Sequence, residues 1–399
     1  MDKYQNPNSL LAIHNYAIFI LYLYMAKRIY ISVSNDIVTD NRVLKISEAL
    51  TKWGQNITIV GRELPASLQA ENIPFRTKRF RMLFRKGVLF YKWLNIRLFF
   101  YLLFKPVDIL VANDLDTLLP NFLVSKLRCK SLVYDAHEYF TGVPELMNRP
   151  FVRGVWKRIE MSTLPYVENM MTVNRSIASL YQEEYGIEPV VVRNFSKRSG
   201  FIPSARIDFG LDKEELLLVV QGTGINVGRG GSELLEALAR CERVHLIFIG
   251  KGNVVPELKA RVAESGLAER VTFLPVMPWE EMMKITGMAD VGMSLDSGNS
   301  PNYYYSLPNK IFDYLNAGVA IIATDLPEIS AIVSENKCGL LVSGNDPGLI
   351  AEAIRKIETD RDLLKELKEN SVKASAKYSW EAEIEQLKIV YRKAGVDIS

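Results

Sequence analysis

The sequence predicts an α/β protein built as two doubly wound parallel-sheet domains facing each other across a cleft. Three observations predict it. Six short apolar, β-branched runs (RIYISVS, NITIVG, DILVAN, SLVYDA, NMMTVN, PVVVRN) fall before residue 195, and six more (LLLVVQG, VHLIFIG, VTFLPV, ADVGMSL, VAIIAT, GLLVS) follow from residue 216. Near-continuous apolar strands separated by helical stretches suit a parallel sheet covered on both faces. At 399 residues the chain exceeds one ordinary core, which suggests roughly two domains. Ser, Gly and Pro break the pattern in NFSKRSGFIPSARI, so the join is placed there. The expected division is an apolar extension at 1–24, a first domain at 25–196, a second at 197–378 and a closing helix at 379–399 that crosses back to the first domain.

Taken in order, residues 10–24 form an apolar run interrupted by His14 and Asn15. It is shorter than the ~20 residues that span a bilayer, and no small-residue cleavage site follows. Met25 is the more natural start, leaving 1–24 as an upstream extension or, alternatively, a membrane-surface anchor. The turn SNDIVTDNRV then brings Asn35, Asp36, Asp40 and Arg42 to the carboxyl edge of the first sheet, with helix capping the competing role for Asp40. Residues 75–106 hold nine Lys or Arg, no acid and many aromatics. That composition suits the interface of an anionic bilayer, although VLFYKWLNIRLFFYLLF reads equally as a buried helix leading into DILVAN. In NDLDT, Asp114 and Asp116 look like a metal-binding pair, but capping explains them as well and no metal site is assigned. YDAHEYF places His137 and Glu138 just past a strand end, where a ligand is expected.

In the second domain, QGTGINVGRGG sets five glycines in eleven residues between a strand and a helix, with Arg229 as its cation. Such a loop lets backbone approach a phosphate, and Arg can bind a diphosphate at two points. It lacks the order of a dinucleotide fingerprint and the Lys-Ser/Thr of a P-loop. Gly250, Lys251 and Gly252 follow the next strand at the same edge. Downstream, SLPNKIFDYLNAG reads as a helix opened by Pro308 and closed by Gly318, with Lys310 in its first turn and Asp313 on the same face. The pair grips a nucleotide, Lys310 at phosphate and Asp313 at ribose, or is a solvated ion pair.

Charge is uneven: residues 1–196 carry 25 basic and 17 acidic side chains, and 197–399 carry 24 and 29. A positive first half suits a phosphorylated partner or an anionic membrane surface. Cys129, Cys241 and Cys338 are widely spaced, and so are the three histidines, which suggests buried thiols in a reducing compartment rather than disulfides or zinc.

Assembled, SNDIVTDNRV, ANDLDTLLP, LVYDAHEYF, VVQGTGINVGRGG, FIGKG and SLPNKIFDYLNAGVAIIATDLPEI resemble the family 4 retaining glycosyltransferases, over about residues 27–392. The resemblance implies a GT-B fold of two Rossmann-like domains and transfer of a sugar from a nucleotide donor with retention. It implies Arg229, Lys310 and His137 as catalytic. It implies donor contacts from Gly222, Thr223, Gly228, Gly230, Gly250, Lys251, Tyr305, Ser306, Leu307, Asn309 and Asp313, and an acceptor side formed by Asn35, Asp36, Arg42, Asp114 and Glu138. Two positions depart from the family pattern. A Glu of the usual pair falls on Tyr305, with its partner shortened to Asp313, and the usual Arg and Lys stand here as Thr223 and Arg229. No cofactor or metal is expected, since the nucleotide-sugar is a co-substrate; the acceptor is a glycan or lipid-linked, and no nucleic acid is involved. The expected location is cytoplasmic, peripheral at the inner membrane face. A nucleotide-sugar epimerase of the same fold and a degenerate nucleotide-sugar-binding subunit are the rival readings.

Overall fold

The computed structural model describes residues 26–64, 73–195, 200–212 and 214–398. The extension at 1–24 and the boundary at 196 and 197 lie outside those residues. Two all-parallel sheets organise the chain. The first has seven strands: β1 (Arg28–Asp36), β2 (Asn56–Glu63), β3 (Arg76–Arg81), β4 (Ile109–Asn113), β5 (Ser131–Ala136), β6 (Asn169–Thr172) and β7 (Val190–Val191), in the order β3-β2-β1-β4-β5-β6-β7. The second has six: β8 (Leu216–Gly222), β9 (Val244–Gly250), β10 (Val271–Leu274), β11 (Val291–Ser294), β12 (Ala320–Thr324) and β13 (Gly339–Val342), in the order β10-β9-β8-β11-β12-β13.

Each central strand is apolar on both sides because helices cover both faces. Leu110 and Tyr134 point into a core with helices Gly87–Leu103, Leu115–Arg128 and Pro150–Thr163. Ile109, Val111 and Val133 face the other way, against helices Asn41–Lys52 and Trp380–Lys393. The closing helix thus belongs to the first sheet, where it lies against β6 and β7 and buries Trp380, Leu387, Val390 and Tyr391 in the same core. Lys45 sits 5.0 Å over the Trp380 ring, and the Arg193 N–H donates to Glu383 at 2.8 Å.

Strand β3 has no counterpart among the apolar runs. Its sequence RTKRFR buries only Phe80, as an edge strand paired on one side requires. Helix Gly87–Leu103 combines both readings of its sequence: Phe90, Leu94, Leu98 and Leu102 are buried, while Val88, Leu89, Trp93, Ile96 and Phe100 are exposed. No helix among the described residues is long and apolar enough to cross a membrane. Cys241 and Cys338 are buried, but Cys129, expected inside, is exposed, because it caps helix Leu115–Arg128 with a left-handed φ of 50° at the surface.

In both sheets the strand order reverses beside the first strand of the domain, between β1 and β4 and between β8 and β11. Loops leaving the carboxyl ends of strands at such a reversal splay apart and leave a crevice. The two crevices share one cleft, lined from both domains.

Candidate active site

The cleft encloses about 560 Å³. From the first domain it is lined by Asn35, Asp36, Arg42, Arg62, His137 and Glu138, among others, and from the second by Thr223, Arg229, Asn302, Ser306, Leu307 and Asn309. Ten of the nineteen catalytic, donor-side and acceptor-side residues named from the sequence therefore line one place, and Lys310 and Asp313 are not among them.

On the first-domain side the charges are tightly organised. Arg42 is buried, with bonds to both Asp135 oxygens at 2.9 and 2.7 Å and to the Val192 carbonyl at 2.7 Å. Its guanidinium thereby ties Asp135 at the end of β5 to Val192 just past β7. Asp40 caps helix Asn41–Lys52, accepting from the Val43 N–H at 3.2 Å. Asp114 does not cap: at a φ of 58° its carboxylate turns to accept the His137 N–H at 2.9 Å. The His137 ring lies between carboxylates, Nδ1 3.4 Å from Asp114 and Nε2 3.2 Å from Asp135. Burial disfavours the imidazolium, but Asp114 and Asp135 outweigh it and lift the pKa to about 10. Burial pushes Asp114 up to about 7, opposed by the His137 charge, and burial raises Glu138 as well.

On the second-domain side, Arg229 Nη1 donates to Asp296 at 2.6 Å, and its guanidinium lies 4.0 Å over the Tyr303 ring. Asp296 is completely buried, and its second oxygen has no hydrogen-bond partner among the described residues. Burial pulls Lys310 below the usual lysine pKa; the Asp296 charge opposes that shift and Arg229 adds to it. Asp296, just past β11 at the strand reversal, is the residue the sequence reading missed. Its position beside the end of β8 is the signal that could have found it. Asp313 lies beneath the cleft, accepting from Gln221 Nε2 at 2.9 Å and Trp279 Nε1 at 3.1 Å. Tyr305 packs against the first-domain core, and its carbonyl accepts from Asn174 at 2.8 Å.

Three of the glycines serve close packing of the chain, whereas Gly222 and Gly224 have no atom nearer than 3.9 Å to where a Cβ would stand. A Cβ on Gly250 would lie 1.9 Å from the Gly222 carbonyl oxygen, one on Gly252 1.8 Å from the Ile225 oxygen and one on Gly230 2.3 Å from Leu295 Cβ. Gly228 packs on Ser297 and Asn299 in the same way. Lys251 acts through its backbone, donating to the Gly222 oxygen at 3.2 Å, while its side chain is exposed. The loop bearing Arg229 is thereby fastened to the ends of β9 and β11.

A short helix, Pro301–Tyr304, ties the domains together. Asn302 accepts from the Tyr139 N–H at 3.1 Å and donates to Glu138 at 3.0 Å. Nearby, Glu328 accepts from the Ser176 N–H at 2.7 Å.

Residues 204–374 match the family described as Glycosyl transferases group 1. Similar characterised proteins include a chitobiosyldiphosphodolichol beta-mannosyltransferase of Candida albicans, 24% identical over 57% of this chain and 54% of its own length. A D-inositol 3-phosphate glycosyltransferase of Corynebacterium urealyticum is 33% identical over 36% of this chain and 32% of its own. The chain thus spans about half or less of the length of these relatives. Among solved structures, sucrose-phosphate synthase from Thermosynechococcus elongatus superposes with a TM-score of 0.75 at 18% identity, covering 92% of this chain and 99% of that one. HepE of Anabaena, solved with UDP-glucose, gives 0.74 at 16% over the same shares. The match to glycosyl transferases group 1 thus falls on the second domain, within a chain that has the two-domain GT-B architecture.

Proposed function

We propose that this chain is a retaining glycosyltransferase that moves a sugar from a nucleotide-sugar to a glycan or lipid-linked acceptor in cell-surface polysaccharide or glycolipid synthesis. The observation that carries the reading is the cleft itself, where the carboxyl edges of two sheets meet with Arg229 on one side and His137 on the other. A departing nucleotide diphosphate gathers negative charge, and preorganised cations stabilise it without a metal. Arg229 and Lys310 supply those cations, backed by the N-terminus of helix Asn309–Ala317. Asp296 orients Arg229. His137, protonated through neutral pH and flanked by carboxylates, works as a fixed charge and hydrogen-bond donor and not as a base.

Peripheral contact with an anionic membrane on the cytoplasmic side fits the exposed Val88, Leu89, Phe100 and Phe104 beside the basic residues of 75–106. A thermal-shift screen of the chain from Met25 against UDP-, GDP-, ADP- and CMP-sugars tests the donor site, since a ligand of the folded state raises the midpoint with its affinity. A shift with one nucleotide class, followed by turnover onto an acceptor, is the expected result; no shift at millimolar concentration sinks the reading. A second reading, donor binding without turnover, is favoured by the hold of Asp296 on Arg229. It predicts the shift but no product. Conversion of the donor sugar with no acceptor present would instead identify an epimerase.

A further inference from the structure

A second cavity of about 280 Å³ opens at the rim of the first domain, lined by Arg62, Glu63, Leu64, Arg81, Met82 and Arg85. Three arginines and one carboxylate line it, Arg62 from within and the exposed Arg81 and Arg85 at its mouth. Glu63 accepts from Arg81 at 3.1 Å, leaving Arg62 and Arg85 without an acid among the lining residues. Arg62 is held in place by stacking 4.7 Å over Phe90 and by donating Nη1 to the Arg85 carbonyl at 3.3 Å, while its buried Nε has no hydrogen-bond partner among the described residues. Arg97 braces the same strand, donating to the Arg81 carbonyl at 2.6 Å. Like charges gathered in a concave site are relieved by an anion, and guanidinium groups match phosphate oxygens in pairs.

Position makes the cavity more informative. Arg62 and Leu64 line both this cavity and the main cleft, so the two are neighbours along one path. Next in sequence to Arg81 and Arg85 the chain exposes Leu83 by 75%, Val88 by 70% and Leu89 by 56%. Polar cleft, arginine-lined cavity and exposed apolar side chains are thus linked through shared or adjoining residues. A sugar joined through phosphate to a lipid has the same order of polarity.

We propose that Arg62, Arg81 and Arg85 form the subsite for the phosphate or diphosphate of a lipid-linked acceptor, with Leu83, Val88 and Leu89 receiving the start of its hydrocarbon chain. The inference rests on the glycosyltransferase reading and names its acceptor class. Arg62 joins the subsite to the cleft, so the test leaves it intact and alters the two outer arginines.

Binding of farnesyl diphosphate, farnesol and inorganic pyrophosphate to the full chain, and to an Arg81→Gln, Arg85→Gln variant, is measured by equilibrium titration. Wild type should bind farnesyl diphosphate at least about tenfold more tightly than farnesol, and the variant should lose at least about tenfold of that affinity, as two charge-assisted contacts imply. Equal affinity for farnesol, equal binding by the variant, or displacement of the probe by UDP overturns the proposal. Sedimentation with phosphatidylglycerol vesicles separates the other source of phosphate: if the variant loses vesicle binding yet keeps farnesyl diphosphate, the arginines serve the bilayer and the acceptor subsite is wrong. The nucleotide-sugar thermal shift is run on both proteins, and its absence from wild type would indict the donor reading alone.

Discussion

At the residue scale the cleft is a set of paired charges rather than free ones. Arg42 is committed to Asp135, Arg229 to Asp296, and His137 to two carboxylates. Replacing Arg229 with Ala would strand a fully buried carboxylate, so the arginine carries stability as well as chemistry. The His137 cluster has a pH consequence whose sign follows from proton counting. His137 rises from 6.5 to about 10 and Asp114 from 3.8 to about 7 on folding. In both cases the folded state binds more protons, so the stabilisation is present below the unfolded value and is lost as pH climbs through the folded one. Thermal unfolding midpoints should fall between pH 6.5 and 10, and His137→Gln should flatten that fall. A midpoint indifferent to this range in wild type would contradict the imidazolium.

At the scale of elements, the strands were legible because burial on both faces leaves no place for polar residues in them. Strand β3 was not, since an edge strand may carry Arg and Lys along most of its length, and its composition then looks like a membrane surface. The caps of helix Asn309–Ala317, Pro308 and Gly318, were readable as punctuation. Asp296 was not: a single acid after a strand has no pattern, and only the three-dimensional adjacency of β8 and β11 gives it meaning. Glycine roles were half legible. Their need for special backbone was evident, but whether ligand or protein made the close approach was not. Gly250→Ala should destabilise the second domain by about 2–4 kcal/mol or prevent its folding, because the methyl would collide with the Gly222 carbonyl at a φ of 129°. Gly154→Ala, in the exposed middle of helix Pro150–Thr163 with nothing within 4 Å, should stabilise by about 0.5–1 kcal/mol. Chemical denaturation of the two variants against wild type checks both signs.

At the scale of the whole molecule, the two domains meet through a cleft with few but specific ties: Asn302 to Tyr139 and Glu138, Asn174 to Tyr305, and Glu328 to Ser176. The closing helix adds a covalent return. Deleting residues 380–398 would uncover Met171 on β6 and Val190 on β7 and remove buried side chains from that core, Trp380, Leu387, Val390 and Tyr391 among them. At the low end of about 1.5 kcal/mol each, that loss is about 6 kcal/mol, comparable with the whole stability of an ordinary domain. Limited proteolysis should then cleave the first domain while sparing residues 204–374; a resistant first domain would show the helix to be dispensable.

That return also sets an order of assembly. With β1 at the beginning of the described chain and the helix that covers β6 and β7 after the second domain, the second domain lies in sequence between two parts of the first. A chain emerging from the ribosome can finish the second domain's sheet while the first still lacks part of one face. One side of β6 and β7 must wait until the closing helix has been made, exposing apolar strands that a chaperone could recognise. The half of the molecule synthesised first is therefore the half completed last.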